Sequence, residues 1–560
     1  MEDILWNSDA LGMRNMWISV GPAPESKAGW ISAPSQGTVA ANDSSGTSTT
    51  AVKFEGGIVR SSCPHGGGHP PTLAEVSANL RAGAAWAGSR DLPDVDGWAD
   101  FKAAPELVHQ RLISRSQEGR CPSVAHTFPL PKPGKGEVRK MAWLHPFDDL
   151  HLRIAVGRVA LAVEAALGPD VLSYRIADGP PAWSMRVAQV AFQLRRERAR
   201  ELFSEAGCNA IAVADIRNYY PSVEPEVVMD ALRRAGSPQG AVTLIGDLLR
   251  DLKHMGAPGG LPIGPEASGL LGNIVLLGLD RAISCQVRGH IRYTDDSWMF
   301  LRAENDWPEV LEVYATSVSD LGLEVNTSKV EVHPKGSDAA EHIIQHGQIA
   351  YLTSPAAGYR PPQRAAAELR EELQRDKPDL TLVKFHLGSL RNAQSPLGLP
   401  ILYEQPQLLQ EIPDSVGHYL SAVVGHPHSR QELDRDWLVD QATARPTARS
   451  AAGQLHLCRV ASQLRLGKEH GNRLLGLATD SSLRRHAPLQ AWAAKAWGSS
   501  KAHSPRRAVD YACHFGDFSV RRAFALTVPP NASTRSKRSC WRRKLRSVEP
   551  DLEPTLARLD

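Results

Sequence analysis

The chain has 560 residues, which is long enough for several domains around a sizeable hydrophobic core. Its formal net charge of +3 excludes a uniformly polycationic protein. No apolar run reaches the roughly eighteen residues of a membrane-spanning helix, and no secretory signal is evident. Seven scattered cysteines without a Cys-x-x-Cys pair argue against a disulfide framework. These features predict a cytoplasmic protein that does not engage a membrane.

The N-terminal part of the chain falls into two regions. Residues 1–75 are rich in Gly, Ser, Thr and Pro, with little periodicity around 35–50, and are predicted to form a loosely ordered extension. Residues 76–205 are predicted to be mostly helical, with one helix over 147–167 and another around 184–207.

A strand that ends in a carboxylate follows. The run 210–214 is almost wholly apolar, the pattern of a strand covered on both faces, and it leads directly into Asp215. About eighty residues later, Asp295 and Asp296 stand between two β-rich segments and are predicted to be the two-residue connection of a hairpin. Adjacent carboxylates at one tip repel each other unless a cation shares them, and Mg²⁺ prefers such hard oxygen ligands. Together with Asp215 they predict a two-metal site for Mg²⁺, with Mn²⁺ as the alternative.

Three further segments surround these carboxylates. A turn reads Gly259-Gly-Leu-Pro-Ile-Gly-Pro-Glu-Ala-Ser268, and an apolar helix is predicted to continue from it through Leu279. Beyond the hairpin lies Leu321-Gly-Leu-Glu-Val-Asn-Thr-Ser-Lys329. Upstream of the strand lies the basic segment Pro131-Lys-Pro-Gly-Lys-Gly-Glu-Val-Arg139.

In this order and spacing, the segments resemble the palm of reverse transcriptases, and the resemblance covers roughly residues 105–335. The matched positions are, in the order of the four palm motifs, Asp215 and Tyr220, then Gly264 and Ser268, then Tyr293-Thr-Asp-Asp296, then Gly322 and Lys329. The resemblance implies an α+β fold with right-hand polymerase fingers over 76–205 and a palm over 206–335. The palm pattern fits an antiparallel sheet packed on helices. Residues 336–560 are predicted to form an all-α, helical-repeat C-terminal region.

The resemblance also implies roles for individual residues. Asp215 and Asp295 would bridge both metal ions, Asp296 would support them, and the carbonyl of Ile216 would add an oxygen ligand. Lys329 would protonate or neutralise the leaving pyrophosphate, although outside the motif a solvated lysine is an equally good interpretation.

A second set of residues is expected to contact the nucleotide. Tyr220 would pack beneath the sugar and exclude a 2′-hydroxyl, which predicts a DNA product. The basic fingers segment would grip the incoming triphosphate, and the expected contacts outside the metal ligands are Lys135, Arg139, Gly264 and Ser268.

Two residues depart from the pattern of retroviral-type enzymes. Ile263 stands where Gln is common, and it has no side-chain hydrogen bond to offer to nucleotide or template. Glu266 is expected to repel a nearby template phosphate. We therefore predict biased or untemplated synthesis, with simple packing of Ile263 against the sheet as the alternative.

The C-terminal region contains a weak internal repeat. Asp480-Ser-Ser-Leu-Arg-Arg485 recurs as Asp517-Phe-Ser-Val-Arg-Arg522, 37 residues further on. This spacing is typical of stacked helix pairs, although coincidence accounts for two copies as well. A basic tail over 533–546 surrounds Trp541, and it predicts either phosphate binding with the ring stacked on a base or a solvated, disordered tail.

A palm followed by helical repeats resembles the bacterial abortive-infection and defence-associated reverse transcriptases. This resemblance implies an RNA-directed DNA polymerase, a nucleotidyltransferase that acts in antiviral defence on deoxynucleoside triphosphates. The expected partners are RNA or DNA, a non-coding RNA or protein primer, and a second copy of the chain. The alternatives are a retron-like or group II intron-like enzyme that copies a dedicated RNA, and a silent palm that acts as a nucleic-acid-binding sensor.

Overall fold

The computed structural model describes residues 69–559, with gaps at 120–121, 124, 133–136, 187 and 346–360. Nearly all of the predicted N-terminal extension over 1–75 lies outside the described residues. So does Lys135 in the basic segment.

Strands are few and helices dominate. In the described ranges the strands are β1 (His126–Pro131), β2 (Val138–Trp143), β3 (Ile176–Asp178), β4 (Ser184–Met185), β5 (Ala210–Asp215), β6 (Gly289–Tyr293), β7 (Asp296–Leu301) and β8 (Glu331–Pro334). The helices before β5 are α1 (Leu73–Ser89), α2 (Ala99–Ala103), α3 (Pro105–Gln117), α4 (Pro146–Gly157), α5 (Ala160–Ala166) and α6 (Ala188–Ser204). Those from β5 to residue 345 are α7 (Tyr219–Ser222), α8 (Pro225–Arg234), α9 (Gln239–His254), α10 (Glu266–Val275), α11 (Leu277–Ser284), α12 (Trp307–Ser319) and α13 (Asp338–Gln345).

Two helices differ from their predicted extents. The helix predicted over 147–167 is interrupted: α4 ends at Gly157, where the Trp183 ring packs so closely that a Cβ would lie 2.7 Å from it. The helix predicted around 184–207 is shorter than expected, because Ser184 and Met185 pair with β3 as strand β4.

A four-stranded antiparallel sheet has the strand order β6-β7-β5-β8. Apolar side chains of β5 pack with those of α8 to α12 in one buried cluster, which covers the sheet. The predicted antiparallel sheet on helices is therefore present, and the mixed α+β class is confirmed. The right-hand arrangement and the domain boundaries stay predictions.

The C-terminal region is wholly helical in its described part. Its helices are α14 (Pro362–Leu373), α15 (Leu380–Asn392), α16 (Leu399–Glu404), α17 (Leu408–Glu411), α18 (Pro413–Gly425), α19 (Arg435–Thr443), α20 (Ala451–Ala461), α21 (Lys468–Thr479), α22 (Ala487–Gly498), α23 (Pro505–His514), α24 (Phe518–Leu526), α25 (Arg535–Val548) and α26 (Glu553–Leu556). Helices α19 and α20, α21 and α22, and α23 and α24 pack as pairs. The second helix of each pair packs on the second helix of the next, so the pairs stack in chain order.

The two copies of the sequence repeat both begin with a capping aspartate. Asp480 accepts a hydrogen bond from the Ser482 N–H before a short turn that leads into α22. Asp517 accepts from the Ser519 N–H and caps α24 directly. The copies therefore share helix-start chemistry, since an N-cap carboxylate satisfies amides that have no intrahelical acceptor.

One hydrophobic core joins the N-terminal helices to the C-terminal pairs. Buried side chains from 76–154 and from 365–559 belong to the same cluster. Arg522, only 2% exposed, extends from α24 into the N-terminal part and hydrogen-bonds the carboxylates of Asp94 and Asp100. None of the described helices is long and apolar enough to cross a bilayer.

Replacing Arg522 with Ala should lower the free energy of unfolding by about 3–5 kcal/mol, because two buried carboxylates lose their cation. Urea unfolding followed by circular dichroism measures this loss. The matched control is Arg485→Ala, at the corresponding repeat position, where the side chain is exposed and the expected loss is at most about 0.5 kcal/mol. Equal losses in the two variants would show that the buried network contributes nothing specific.

Candidate active site

Strand pairing brings two of the three predicted carboxylates face to face. Asp215, the last residue of β5, is opposite Asp296, the first residue of β7, and Asp296 is also opposite Tyr293 of β6. Directly opposed residues of an antiparallel pair have their side chains on the same face of the sheet. The hairpin connection is therefore Thr294–Asp295, with Thr294 at φ 60°, and the prediction that Asp295 and Asp296 form it is wrong by one residue.

Asp215 is held by two side chains of the segment around Lys329. Its Oδ2 accepts a hydrogen bond from Lys329 Nζ at 2.6 Å, and its Oδ1 accepts from Asn326 Nδ2 at 2.9 Å. The Asn326 N–H also donates to the Asp215 carbonyl at 2.8 Å. Asn326 was not predicted, although it lies three residues before Lys329 in the same sequence segment.

Asp296 is held by a cation from helix α6. Its Oδ2 accepts from Arg195 Nη2 at 2.7 Å, and Arg195 Cζ lies 3.7 Å from the centre of the Trp298 ring. Stacking on an aromatic face stabilises a guanidinium and fixes its orientation. Arg195 was not predicted, because it stands among several arginines on an amphipathic helix and nothing local distinguishes it.

Asp295 forms no ion pair with any side chain in the described part of the chain. Burial, followed by repulsion from Asp215 and then from Asp296, raises its pKa to about 6, while Lys329 partly opposes the shift. A carboxyl in this state is poised to bind a cation, because a cation removes the cause of the shift.

The chemical type of the donors at this site matches what Mg²⁺ or Mn²⁺ prefers, but their arrangement does not. Three carboxylates supply hard oxygen ligands, and Asp295 is destabilised as an anion without a cation. In the described ranges, however, His, Cys, Asp and Glu side chains do not gather in any group of three arranged to hold a metal ion. Asp215 and Asp296 are directed toward Lys329 and Arg195 instead.

Tyr220 forms a close-packed floor next to the carboxylates. A Cβ on Gly269 would lie 2.3 Å from the ring of Tyr174, so that ring leaves no room for a side chain there, and a Cβ on Gly272 would lie 3.2 Å from the Tyr220 ring, a tight approach. Burial, followed by the neighbouring Tyr174 and Tyr219, raises the pKa of Tyr220 well above its ordinary value. The Tyr220 hydroxyl lies near enough to Tyr174 to affect its pKa. Within the described residues, however, the buried Tyr220 hydroxyl has no hydrogen-bond partner.

The turn that leads into α10 is fixed by close backbone contacts. Gly260 has φ +76°, and a Cβ there would lie 2.4 Å from the Tyr220 carbonyl oxygen. The Ile263 carbonyl accepts from the Ala142 N–H of β2 at 2.8 Å, and Gly264 has φ +131° beside the same strand. A positive φ combined with a close backbone approach explains why glycine stands at both positions.

Glu266 does not face a template. It is 8% exposed and forms an ion pair with Arg153 of α4, so the prediction that it repels a template phosphate is wrong. Ser268 is also buried, and within the described part of the chain its hydroxyl makes no hydrogen bond.

The described residues predicted to bind the metal ions or the nucleotide line one cleft of about 1630 Å³. Those predicted from the sequence are Lys132, Arg139, Asp215, Ile216, Tyr220, Ile263, Gly264, Ser268, Asp295, Asp296 and Lys329. Arg139 is exposed on β2, whereas Lys132 is paired with Glu137 at 2.8 Å. The cleft thus joins carboxylates, a buried aromatic floor and a basic hairpin.

No protein-family model matches the chain, and no curated protein matches it in sequence. Among solved structures, it is similar to a telomerase from Candida albicans in complex with a fragment of telomeric RNA. The identity is 10%, the match covers 67% of this chain and 66% of that chain, and the TM-score is 0.28. A likeness of this degree defines neither the fold nor the function of this chain.

Replacing Asp295 with Asn should stabilise the protein in a pH-dependent manner. In the folded chain Asp295 keeps its proton up to about pH 6, whereas the unfolded chain releases it near pH 3.8. The contribution of this group to stability therefore falls as pH rises from about 4 to about 6, and then stays constant. The variant should gain up to about 3 kcal/mol over wild type above pH 6, and little below pH 4.

Urea unfolding in EDTA across pH 4–8 checks this expectation. Asp320→Asn, an exposed carboxylate at the end of α12, controls for general loss of negative charge. A gap between Asp295→Asn and wild type that is the same at every pH would contradict it.

Proposed function

We propose that this cleft catalyses nucleotidyl transfer as a reverse transcriptase-type DNA polymerase. The observation that supports it best is the meeting of Asp215, Asp295 and Asp296 with Tyr220 and Lys329 in one cleft. These residues come from three separate segments between positions 215 and 329, yet they are the ones that the resemblance to reverse transcriptases selects.

The three carboxylates would hold Mg²⁺, with the carbonyl of Ile216 as a further ligand. When bound, a pair of such ions lowers the pKa of an attacking 3′-hydroxyl and stabilises a leaving pyrophosphate. Lys329 must release Asp215 to free that carboxylate for a metal ion. Its side chain is 44% exposed and would then be available to neutralise the leaving group.

The remaining cleft residues fit a deoxynucleoside triphosphate. Arg139 and Lys132, with Lys135 in the same hairpin segment, would contact the phosphates, because guanidinium and ammonium groups pair with phosphate oxygens. Tyr220 would lie beneath the sugar. A Cβ on Gly272 would lie 3.2 Å from the Tyr220 ring, so little free space lies between the ring and that helix.

The cellular role and the template are proposed on the sequence resemblance. We assign the chain to antiviral defence of the abortive-infection type, in the cytoplasm, with RNA or DNA as partner and with priming by protein or non-coding RNA. Ile263 lines the cleft and also packs against the core, so its pocket wall is apolar. This feature supports biased or untemplated synthesis, although the repulsion expected from Glu266 no longer contributes.

Asp215→Ala or Asp295→Ala should each abolish deoxynucleotide incorporation, and the double variant should lose no more than either single one. Groups that act as one unit behave in this way. Incorporation of labelled deoxynucleotide in Mg²⁺ or Mn²⁺ measures the effect, with circular dichroism as the check on folding. Asp320→Ala should retain wild-type activity. Undiminished incorporation in the double variant would sink the polymerase assignment, and an inactive wild type would favour the silent palm.

Tyr220→Ala should raise ribonucleotide incorporation relative to deoxynucleotide by about tenfold or more, because the excluded 2′-hydroxyl then finds space. Tyr220→Phe should discriminate as wild type does, since the ring and not its hydroxyl fills the space. Competition between the two nucleotide types on one primer measures the ratio. If the wild type incorporates ribonucleotides and deoxynucleotides equally well, Tyr220 does not exclude the 2′-hydroxyl.

A further inference from the structure

Helix α25 has an exposed face of cations and serines. Arg535, Lys537, Arg543, Lys544 and Arg546 are all exposed on it. The exposed serines are Ser536, Ser539 and Ser547, and the helix contains no Asp or Glu over its 14 residues. This composition is unusual for a solvated helix, where charges of both signs normally alternate.

Acidic neighbours balance only part of this charge. Lys544 pairs with Asp510 of α23 at 3.1 Å, and Arg546 lies 3.5 Å from Glu553 of α26. Arg535, Lys537 and Arg543 form no ion pair within the described ranges of the chain. The exposed face therefore keeps a net positive charge that the fold does not neutralise.

The apolar side of the same helix is already in use. Leu545 is buried, and the half-buried Trp541 packs against the hydrophobic core. The basic tail is thus an ordered helix and not a disordered segment, and part of the Trp541 side chain is packed against the core and not exposed. No other aromatic residue lies on α25.

We infer that the exposed face of α25 binds the phosphate backbone of a nucleic acid without reading its bases. A 14-residue helix is about 21 Å long. Duplex DNA carries one charge per about 1.7 Å of its axis, so several phosphates lie within reach of the face. Arginine, lysine and serine side chains are the usual phosphate donors in such contacts, whereas base readout needs groups that enter a groove or stack.

An anionic membrane is the other polyanion that such a face attracts, but the structure favours nucleic acid. Helices that lie in a membrane surface insert an apolar face between lipids. Here that face is packed against the core, and Val548 is the one large apolar side chain of α25 that is exposed.

This surface is separate from the candidate active site. No residue of α25 lines the catalytic cleft. The inference therefore stands whether or not the cleft polymerises nucleotides, and binding can be measured in the Asp215→Ala/Asp295→Ala background without added nucleotide.

The test is fluorescence anisotropy of labelled 20-mers between 50 and 200 mM salt. Duplex DNA, single-stranded DNA and RNA are compared, each in two unrelated sequences. The variant R535Q/K537Q/R543Q should bind each probe at least about tenfold more weakly at 50 mM salt. For the duplex, the slope of log affinity against log salt should become shallower by about two to three, at roughly 0.9 per lost phosphate contact. The two sequences of each probe type should bind alike.

Two further variants isolate the face from the total charge. Lys102→Gln/Arg234→Gln/Lys468→Gln removes three exposed cations from three other helices and should leave affinity and slope unchanged. Ser539→Glu adds one negative charge to the face and keeps all of its cations. It should weaken binding because the new carboxylate repels phosphate. Circular dichroism confirms that each variant keeps its helix content.

Several outcomes would overturn the inference. The first is that the wild type binds none of the probes. The second is that both triple variants lose the same binding affinity. The third is that R535Q/K537Q/R543Q keeps the wild-type affinity and salt slope. A last experiment measures co-sedimentation with vesicles that contain about 30% phosphatidylserine, an anionic lipid of the cytoplasmic leaflet. Vesicle binding that the face variant loses, with nucleic-acid binding intact, would assign the surface to membranes instead.

Discussion

The antiparallel pairing of β5 with β7 is the constraint on which the candidate site depends. It sets Asp215 opposite Asp296 and leaves Asp295 at the connection beside them, so three negative charges share one small volume. Two protein cations, Lys329 and Arg195, then become necessary, because unbalanced carboxylates in a partly buried cleft repel each other strongly. The charges are balanced only in part, since Asp295 forms no ion pair within the ranges that the structure describes.

A second constraint fixes the walls of the cleft. The hairpin β1–β2 and helix α4 belong to the same hydrophobic core as the C-terminal helix pairs. The β2 backbone in turn holds the turn at Ile263 through the hydrogen bond from Ala142. The C-terminal pairs therefore support the basic hairpin, the hairpin supports the turn, and the turn lies against Tyr220. These contacts form a continuous packed path from the C-terminal helices to the cleft.

The sequence was sufficient for features that depend on local pattern. The apolar run that ends in Asp215 predicted a buried strand, which is present. The predicted hairpin connection differs from the observed one by one residue, because Asp296 is paired with Tyr293 and Asp215 in the sheet. Features that depend on long-range pairing were missed. Nothing in the sequence around Arg195 or Glu266 reveals that one pairs with Asp296 and the other with Arg153. Ion pairs between distant segments leave no periodicity, so they appear only when the chain is folded.

The shared core also has a consequence for biosynthesis. Helices α1 to α4 are synthesised long before the C-terminal helices that share their core, and Asp100 accepts a hydrogen bond from Thr555 across 455 positions. At about 5–20 residues per second, that separation corresponds to roughly 20–90 s of translation. During this interval α1, α3 and α4 can pack on one another, but the apolar surface that the C-terminal helices cover in the folded chain stays exposed. The nascent chain is therefore an expected client of chaperones, and a ribosome that stalls before the last helices releases a product prone to aggregate.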